Sequence, residues 1–422
     1  MRAAHPPMTV SLQVDLDPGG EAVRITVDSR SVLLSPRQWS EWVNVRFAPL
    51  GPFRKVSGIC RFYLESVRPL KLYVTPINID PAHPALPIST PPGFARWLSE
   101  RIGDFYTQGI AEDTKALRAG VFDDAAFVGQ TDHVLGEEWR LLDAALDSYR
   151  GGFLFFYVST IDQSCHMLWR NTDPKHPAHA ASPGFAGRID SLYADMDSLL
   201  GVVESRIPRE ATLLVMSDHG FAPFYKRVNL NAWLAREGYL SVSQPGSGGP
   251  GSLFDNVIWR RTRAYALGLN GLYLNVMHRE GKGIVRRGPE YDALLDEISA
   301  KLLALRDPEN GAAIVTRVDR PRDVYHGAEA ASAPDLIVGY NRGYRSSDES
   351  ALGTVAQEWL EPNTDKWSGD HCMDHTLVPG VLLSNRVLAV DDPSLLDVPV
   401  TILAQYGIGK PRPMRGRALF TP

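Results

Sequence analysis

The apolar run Leu213-Leu214-Val215-Met216-Ser217 stops on Asp218-His219 and turns at once on Gly220. A hydrophobic strand that ends in a carboxylate and an imidazole carries two metal-type ligands to the rim of a sheet. In open α/β sheets that rim, beyond the carboxyl ends of the strands, is where ligands bind. Two further segments repeat the arrangement. The run Phe153-Leu154-Phe155-Phe156-Tyr157-Val158 reads as a short buried strand, and Asp162-Gln163-Ser164-Cys165-His166 follows closely. If this stretch turns helically, a spacing of four puts Asp162 and His166 on one face, where they share an ion. The segment Ser368-Gly369-Asp370-His371-Cys372-Met373-Asp374-His375 precedes a third apolar run over residues 378–383.

Carboxylate oxygen and imidazole nitrogen together, with no obligatory thiolate, suit Zn²⁺, with Mn²⁺ or Fe as alternatives, whereas Ca²⁺ and Mg²⁺ favour shells made of oxygen alone. Asp162, His166, Asp218, His219 and His371, with His375 as a weaker sixth candidate, exceed one tetrahedral site. Two neighbouring divalent ions are therefore expected. Such pairs clamp the attacking and leaving oxygens of phosphoryl transfer.

From residue 151 onward, apolar strand-like runs alternate with helical patterns over 189–203 and 230–237. That alternation predicts an α/β core over residues 151–422, built on a mostly parallel sheet with helices on both faces. Residues 1–150 read differently. Alternating segments such as Val10-Ser11-Leu12-Gln13-Val14-Asp15-Leu16 and Val23-Arg24-Ile25-Thr26-Val27 predict a β-rich portion, joined by Arg61-Phe62-Tyr63-Leu64-Glu65 and Leu70-Lys71-Leu72-Tyr73-Val74. Helical periodicity takes over from residue 92 to 150. The Gly-, Ser- and Pro-rich residues 241–252 read as a loop.

The ordered motifs resemble those of the alkaline phosphatase superfamily, in its branch of type I phosphodiesterases and nucleotide pyrophosphatases. The resemblance rests on Asp162-x-x-x-His166, on Asp218-His219-Gly220-Phe221 with Val228-Asn229-Leu230-Asn231-Ala232-Trp233-Leu234, and on Gly271-Leu272-Tyr273-Leu274-Asn275. It continues through Pro334-Asp335-Leu336-Ile337-Val338, His371 and Met414-Arg415-Gly416-Arg417. It implies that Asp162, His166 and His371 hold one ion and that Asp218 and His219 belong to the other. His371 is preferred over His375 as the ligand of a Gly-x-His; His375 would then orient a ligand by hydrogen bonding. Residues 1–150 would form a cap on the α/β core.

Relatives of this kind carry a strand ending in Asp, which completes the second ion's shell, and then a Ser or Thr nucleophile at a helix N-terminus. No apolar strand followed by Asp and a capped hydroxyl occurs before residue 150. The expectation is therefore a portion of a longer enzyme or a homologue without the nucleophile, with the second metal site incomplete and hydrolysis by this chain in question. The competing functions are a catalytically silent metal- or ligand-binding domain and a sulfatase-like hydrolase, although the sulfatase Cys/Ser-x-Pro-x-Arg motif is absent.

Composition narrows the partners. A net charge of −5, from 44 basic and 49 acidic residues, argues against polymeric nucleic acid and leaves small phosphate esters as substrates. With three cysteines, no disulfide framework is expected. No stretch reaches the ~20 apolar residues of a membrane helix and no signal peptide is visible, so the default location is the cytoplasm. Lys226 and Arg227 are candidate phosphate contacts, with a solvated loop as the alternative. His176 and His179 are expected at the surface of a Pro-rich loop, while Tyr340, Tyr344 and Trp367 line a pocket or pack the core.

Overall fold

The computed structural model describes residues 8–48, 55–179, 184–243 and 253–420. The chain divides into two compact units, Met1–Leu168 with Gly184–Ile207, and Trp169–Pro183 with Pro208–Pro422. The division falls inside one helix.

The first unit begins with strands β1 (Leu12–Leu16), β2 (Val23–Val27), β3 (Arg30–Leu34), β4 (Gln38–Trp39) and β5 (Val43–Phe47). It continues through β6 (Val56–Cys60), β7 (Phe62–Ser66), β8 (Lys71–Val74) and β9 (Asn78–Ile79). They form three antiparallel sheets, β1-β2-β3, β4-β7-β8 and β5-β6-β9. Strand β2 shows why: Val23, Ile25 and Val27 are buried while Arg24 faces out, the period of two that one solvated face requires.

Helices α1 (Phe94–Ile102), α2 (Thr114–Arg118), α3 (Asp124–Ser148), α4 (Thr160–Thr172) and α5 (Arg188–Arg206) follow. The Asp123 side chain caps α3 by accepting from the Ala126 amide at 3.0 Å. A buried ion pair fastens α3 to the sheets: the Arg61 guanidinium donates to Glu137 at 2.8 Å and to the Ser40 carbonyl at 2.9 Å. The Trp42 indole and the Tyr106 amide also donate to Glu137, each at 2.9 Å.

Residues 153–158 correct an expectation. They join no ladder among the described residues, and Phe153, Phe155 and Tyr157 are 60%, 71% and 64% exposed. Phe156 and Val158 pack against Leu142, Leu146 and Leu199 of α3 and α5. An apolar run signals burial, but burial needs strands on either side, and the described residues of this unit supply none.

The second unit holds the last turn of α4 and strands β10 (Leu214–Met216), β11 (Ala222–Val228), β12 (Ala264–Ala266), β13 (Gly271–Leu274) and β14 (Val315–Asp319). Then come β15 (Leu336–Tyr340), β16 (Gly343–Ser346), β17 (Leu360–Pro362), β18 (Gly369–Asp370) and β19 (Leu382–Ser384). Its helices are α6 (Leu230–Arg236), α7 (Pro289–Leu303), α8 (Pro321–Val324), α9 (Asp348–Ala351) and α10 (Asp397–Gln405). β10 pairs with β19; β11 lies between β16 and β17 and also pairs with β18; the third sheet runs β12-β13-β15-β14.

The expected mostly parallel sheet is not found. Of the named pairings only β11 with β16 is parallel. Of these pairs only β12 and β13 are joined by a short turn, between Ala266 and Gly271; the other antiparallel pairs join strands separated by long stretches of chain, whose direction an alternation of strands and helices does not fix. The α/β character holds, with Leu230, Trp233 and Leu234 of α6 and Leu294, Leu295 and Ile298 of α7 packed in one core with β12 to β15. The predicted run at 378–383 appears as β19, shifted toward its end and preceded by a 3₁₀ turn at His375–Leu377. Of the predicted loop at 241–252, residues 244–252 lie outside the described part.

Removing one partner of the Arg61–Glu137 pair strands a buried charge. Arg61→Leu is therefore expected to lower unfolding stability by about 3–5 kcal/mol, read by urea denaturation. A second prediction concerns Glu112, whose carboxyl burial pushes up to about 7 while it accepts from the Thr160 hydroxyl at 2.9 Å. The folded state then holds its proton more tightly than the unfolded chain, so this group makes stability fall as pH rises from about 4.5 to 7. Glu112→Gln should remove that part of the decline, worth up to about 3 kcal/mol at pH 8 and little at pH 4, as read by melting curves across pH.

Candidate metal centre

The loop Ser217-Asp218-His219-Gly220 leaves β10 and is pressed against residues 378–381. The Ser217 amide donates to Val381 O at 3.0 Å, Gly220 N to Val378 O at 2.9 Å, and Val381 N to Ser217 Oγ at 3.0 Å. Glycine is required at both crossings. A Cβ on Gly220 would come within 2.7 Å of Pro379 O, and one on Gly380 within 2.4 Å of Ser217 O. Two backbones in contact thus fix where Asp218 and His219 emerge.

His371 arrives from β18, whose Gly369 and Asp370 pair with Pro223 and Ala222 of β11. Its ring stacks on that of His219 with centroids 3.5 Å apart and planes 12° from parallel, and Phe221 meets both rings edge-on at 5.5 and 5.3 Å. Burial, and then the neighbouring His219, lower the His371 pKa, favouring the neutral imidazole that binds metals. His219 Nδ1 lies 3.1 Å from Gly220 O, so the Nδ1–H tautomer donates there and leaves Nε2 as a lone-pair donor.

His219 Nε2 is 3.6 Å from Asp218 Oδ1. On α4, His166 Nε2 is 3.7 Å from Asp162 Oδ2, with the imidazole buried and the carboxylate half-buried. Both gaps are long for a strong hydrogen bond. They are close to the ~3.3 Å that separates two ligand atoms each about 2 Å from one tetrahedral ion. Asp162 and His166 belong to the first unit; Asp218, His219 and His371 belong to the second. Within the second unit, the last turn of α4 is fastened beside His371: Arg170 N donates to Ser368 Oγ at 3.0 Å, and Trp169 stacks near Phe221 with centroids 6.4 Å apart.

Asp370, which sequence reasoning passed over, organises the approach. Its buried carboxylate pairs with Arg345 Nε at 2.7 Å, accepts from the Trp367 indole at 2.7 Å, and accepts the His371 and Cys372 amides, each at 2.7 Å. Its position beside a candidate histidine was a usable signal; nothing in Tyr344-Arg345-Ser346 marked the arginine. Asp370, His371 and Cys372 could offer ligand atoms within 4.8 Å of one another. Asp370 is already answered by Arg345, however, and burial pushes the Cys372 thiol up to about 12, leaving His371 as the available donor.

Other expectations fall elsewhere. His375 is exposed on its 3₁₀ turn, apart from the stacked pair. Lys226 is paired with Asp307 at 2.8 Å and Glu309 at 2.5 Å, and Arg227 approaches Glu349 at 3.7 Å. His176 is buried, not at the surface, with Nε2 2.8 Å from Phe224 O; His179 is exposed as expected. Tyr340 and Tyr344 pack in the core, and Cys60, Cys165 and Cys372 are free thiols.

Oxygen and imidazole donors in pairs at this spacing fit a divalent transition ion. A comparison with curated proteins finds no match. The family model for type I phosphodiesterase / nucleotide pyrophosphatase matches residues 86–372, more than half of the chain, and spans every one of the five proposed ligands. Members of this family are metal-dependent hydrolases acting on small phosphate esters. The chain belongs to the type I phosphodiesterase/nucleotide pyrophosphatase family of the alkaline phosphatase superfamily.

Proposed function

We propose that this chain carries the metal centre of a phosphodiester or phosphomonoester hydrolase. In this reading Asp162, His166 and His371 hold one divalent ion, and Asp218 and His219 hold the other. The observation that carries the reading is the stacking of His219 on His371 at 3.5 Å. Burial and the neighbouring His219 lower the His371 pKa, which suits a neutral lone-pair donor there. Further support comes from the one-turn spacing of Asp162 and His166 on α4. Zn²⁺ is the ion best suited to this donor set, with Mn²⁺ or Fe as alternatives.

The ions, when bound, would supply Lewis-acid stabilisation of charge on the phosphoryl oxygens. The residues do the rest. The Gly220 carbonyl fixes the His219 tautomer, Phe221 walls the paired rings, and the Asp370–Arg345 pair holds the His371 loop on β11. No hydroxyl nucleophile is assigned, and the second ion has two proposed ligands, fewer than the usual three protein ligands of a catalytic site. The reading of a silent metal-binding domain is favoured by that same shortage.

Metal analysis of the purified protein is expected to find about one or more equivalents of a divalent transition ion. His371→Ala and His166→Ala should each abolish the first ion's binding while melting cooperatively. Metal content unchanged from the parent in both variants, or absence of metal in the parent, would overturn the assignment. Asp370→Asn should weaken metal affinity about 10–100-fold by freeing the His371 loop, read by competition with a chelator. Turnover of an activated phosphodiester separates the two readings: metal with turnover identifies the hydrolase, and metal without turnover identifies the binding domain.

A further inference from the structure

We infer that a cavity bordered by the 276–288 loop is a binding site for a small organic molecule carrying a phosphate group. The cavity, of about 430 Å³, is lined by Met277, His278, Arg279, Arg286 and Arg287. None of these is among the proposed metal ligands.

The loop is held rigidly. Asn275 lies fully buried beneath it and donates from one amide to the carbonyls of Trp259, Thr262 and Lys282 at 2.9, 2.8 and 3.1 Å. Val276 N donates to Glu280 at 2.7 Å, and a Cβ on Gly283 would strike Val276 O at 2.0 Å. His278 is held at φ +68°, a left-handed conformation that costs energy in any residue but glycine. A loop tied down this tightly presents its side chains ready placed, which lowers the ordering cost of binding.

Its charges are unequally answered. Arg279 is neutralised by Asp335 at 2.6 Å and Glu280 at 2.7 Å, and Tyr291 donates to the other Asp335 oxygen at 2.6 Å. Arg286, Arg287 and the adjacent Lys282 are exposed, and among the described residues none has an ion-pair partner within 4 Å. The opposing charges on the facing helix are Glu290, which accepts from Arg286 N at 3.3 Å, and Asp292 in the same first turn.

Two guanidinium forks without an ion-pair partner, on one loop that lines the cavity, match the oxygens of a phosphate. The volume exceeds that of an inorganic ion and falls in the range of small-ligand sites, and Met277 supplies an adaptable apolar wall for the organic part. A phosphate ester therefore fits better than a bare anion.

The test is calorimetric titration of chelator-treated full-length protein at low salt with a phosphorylated probe, phenyl phosphate, and with inorganic phosphate and benzoate as controls. Phenyl phosphate should bind more tightly than either control. The double variant R286Q/R287Q should weaken it about tenfold or more with an unchanged melting point, because both side chains are exposed. His371→Ala should leave it unchanged, which separates this site from the proposed metal centre. Absence of phenyl phosphate binding, equal binding by the double variant, or benzoate binding as tightly would overturn the proposal.

Discussion

A carboxylate with no access to water has to be answered by a cation, and in this protein Asp370 is answered by Arg345 at 2.7 Å. The two residues sit on β18 and β16, which flank opposite pairings of β11. The ion pair therefore ties together three chain segments that sequence separates widely. His371 follows Asp370 directly, and the same carboxylate accepts its amide. The position of the imidazole is thus a consequence of a buried electrostatic contact rather than of loop preference.

Contact between backbones does the corresponding work for Asp218 and His219. Gly220 and Gly380 let two segments approach more closely than any side chain allows, so the loop after β10 has one place to be. One proposed ligand pair owes its position to this crossing. The other, Asp162 with His166, owes its spacing to helix periodicity alone, since one turn of α4 brings Nε2 and Oδ2 to 3.7 Å.

What could be read from sequence follows from how local each signal is. The Asp162–His166 spacing, the strand that ends at Asp218-His219 and helices α5 and α6 were legible because each depends on a single short stretch. The β-rich start was legible for the same reason, as the alternation in Val23-Arg24-Ile25-Thr26-Val27 shows. The parallel sheet was misread, because strand–helix alternation says nothing about which strands pair, and most of the pairs join strands far apart in the chain. Arg345 and the burial of His176 were invisible because their partners, Asp370 and the Phe224 carbonyl, lie far along the chain. Lys226 looked available in sequence only because Asp307 and Glu309 are equally remote.

The uncovered run at residues 153–158 has a consequence for how the protein behaves in company. Phe-Leu-Phe-Phe-Tyr-Val carries no charge, no proline and no glycine, and its Phe153, Phe155 and Tyr157 side chains face solvent. Those are the attributes of a steric-zipper segment, in which like strands from many molecules stack and interlock dry faces. An apolar stretch of this kind, left open to solvent, offers an edge for strand addition between copies of a chain unless another surface covers it.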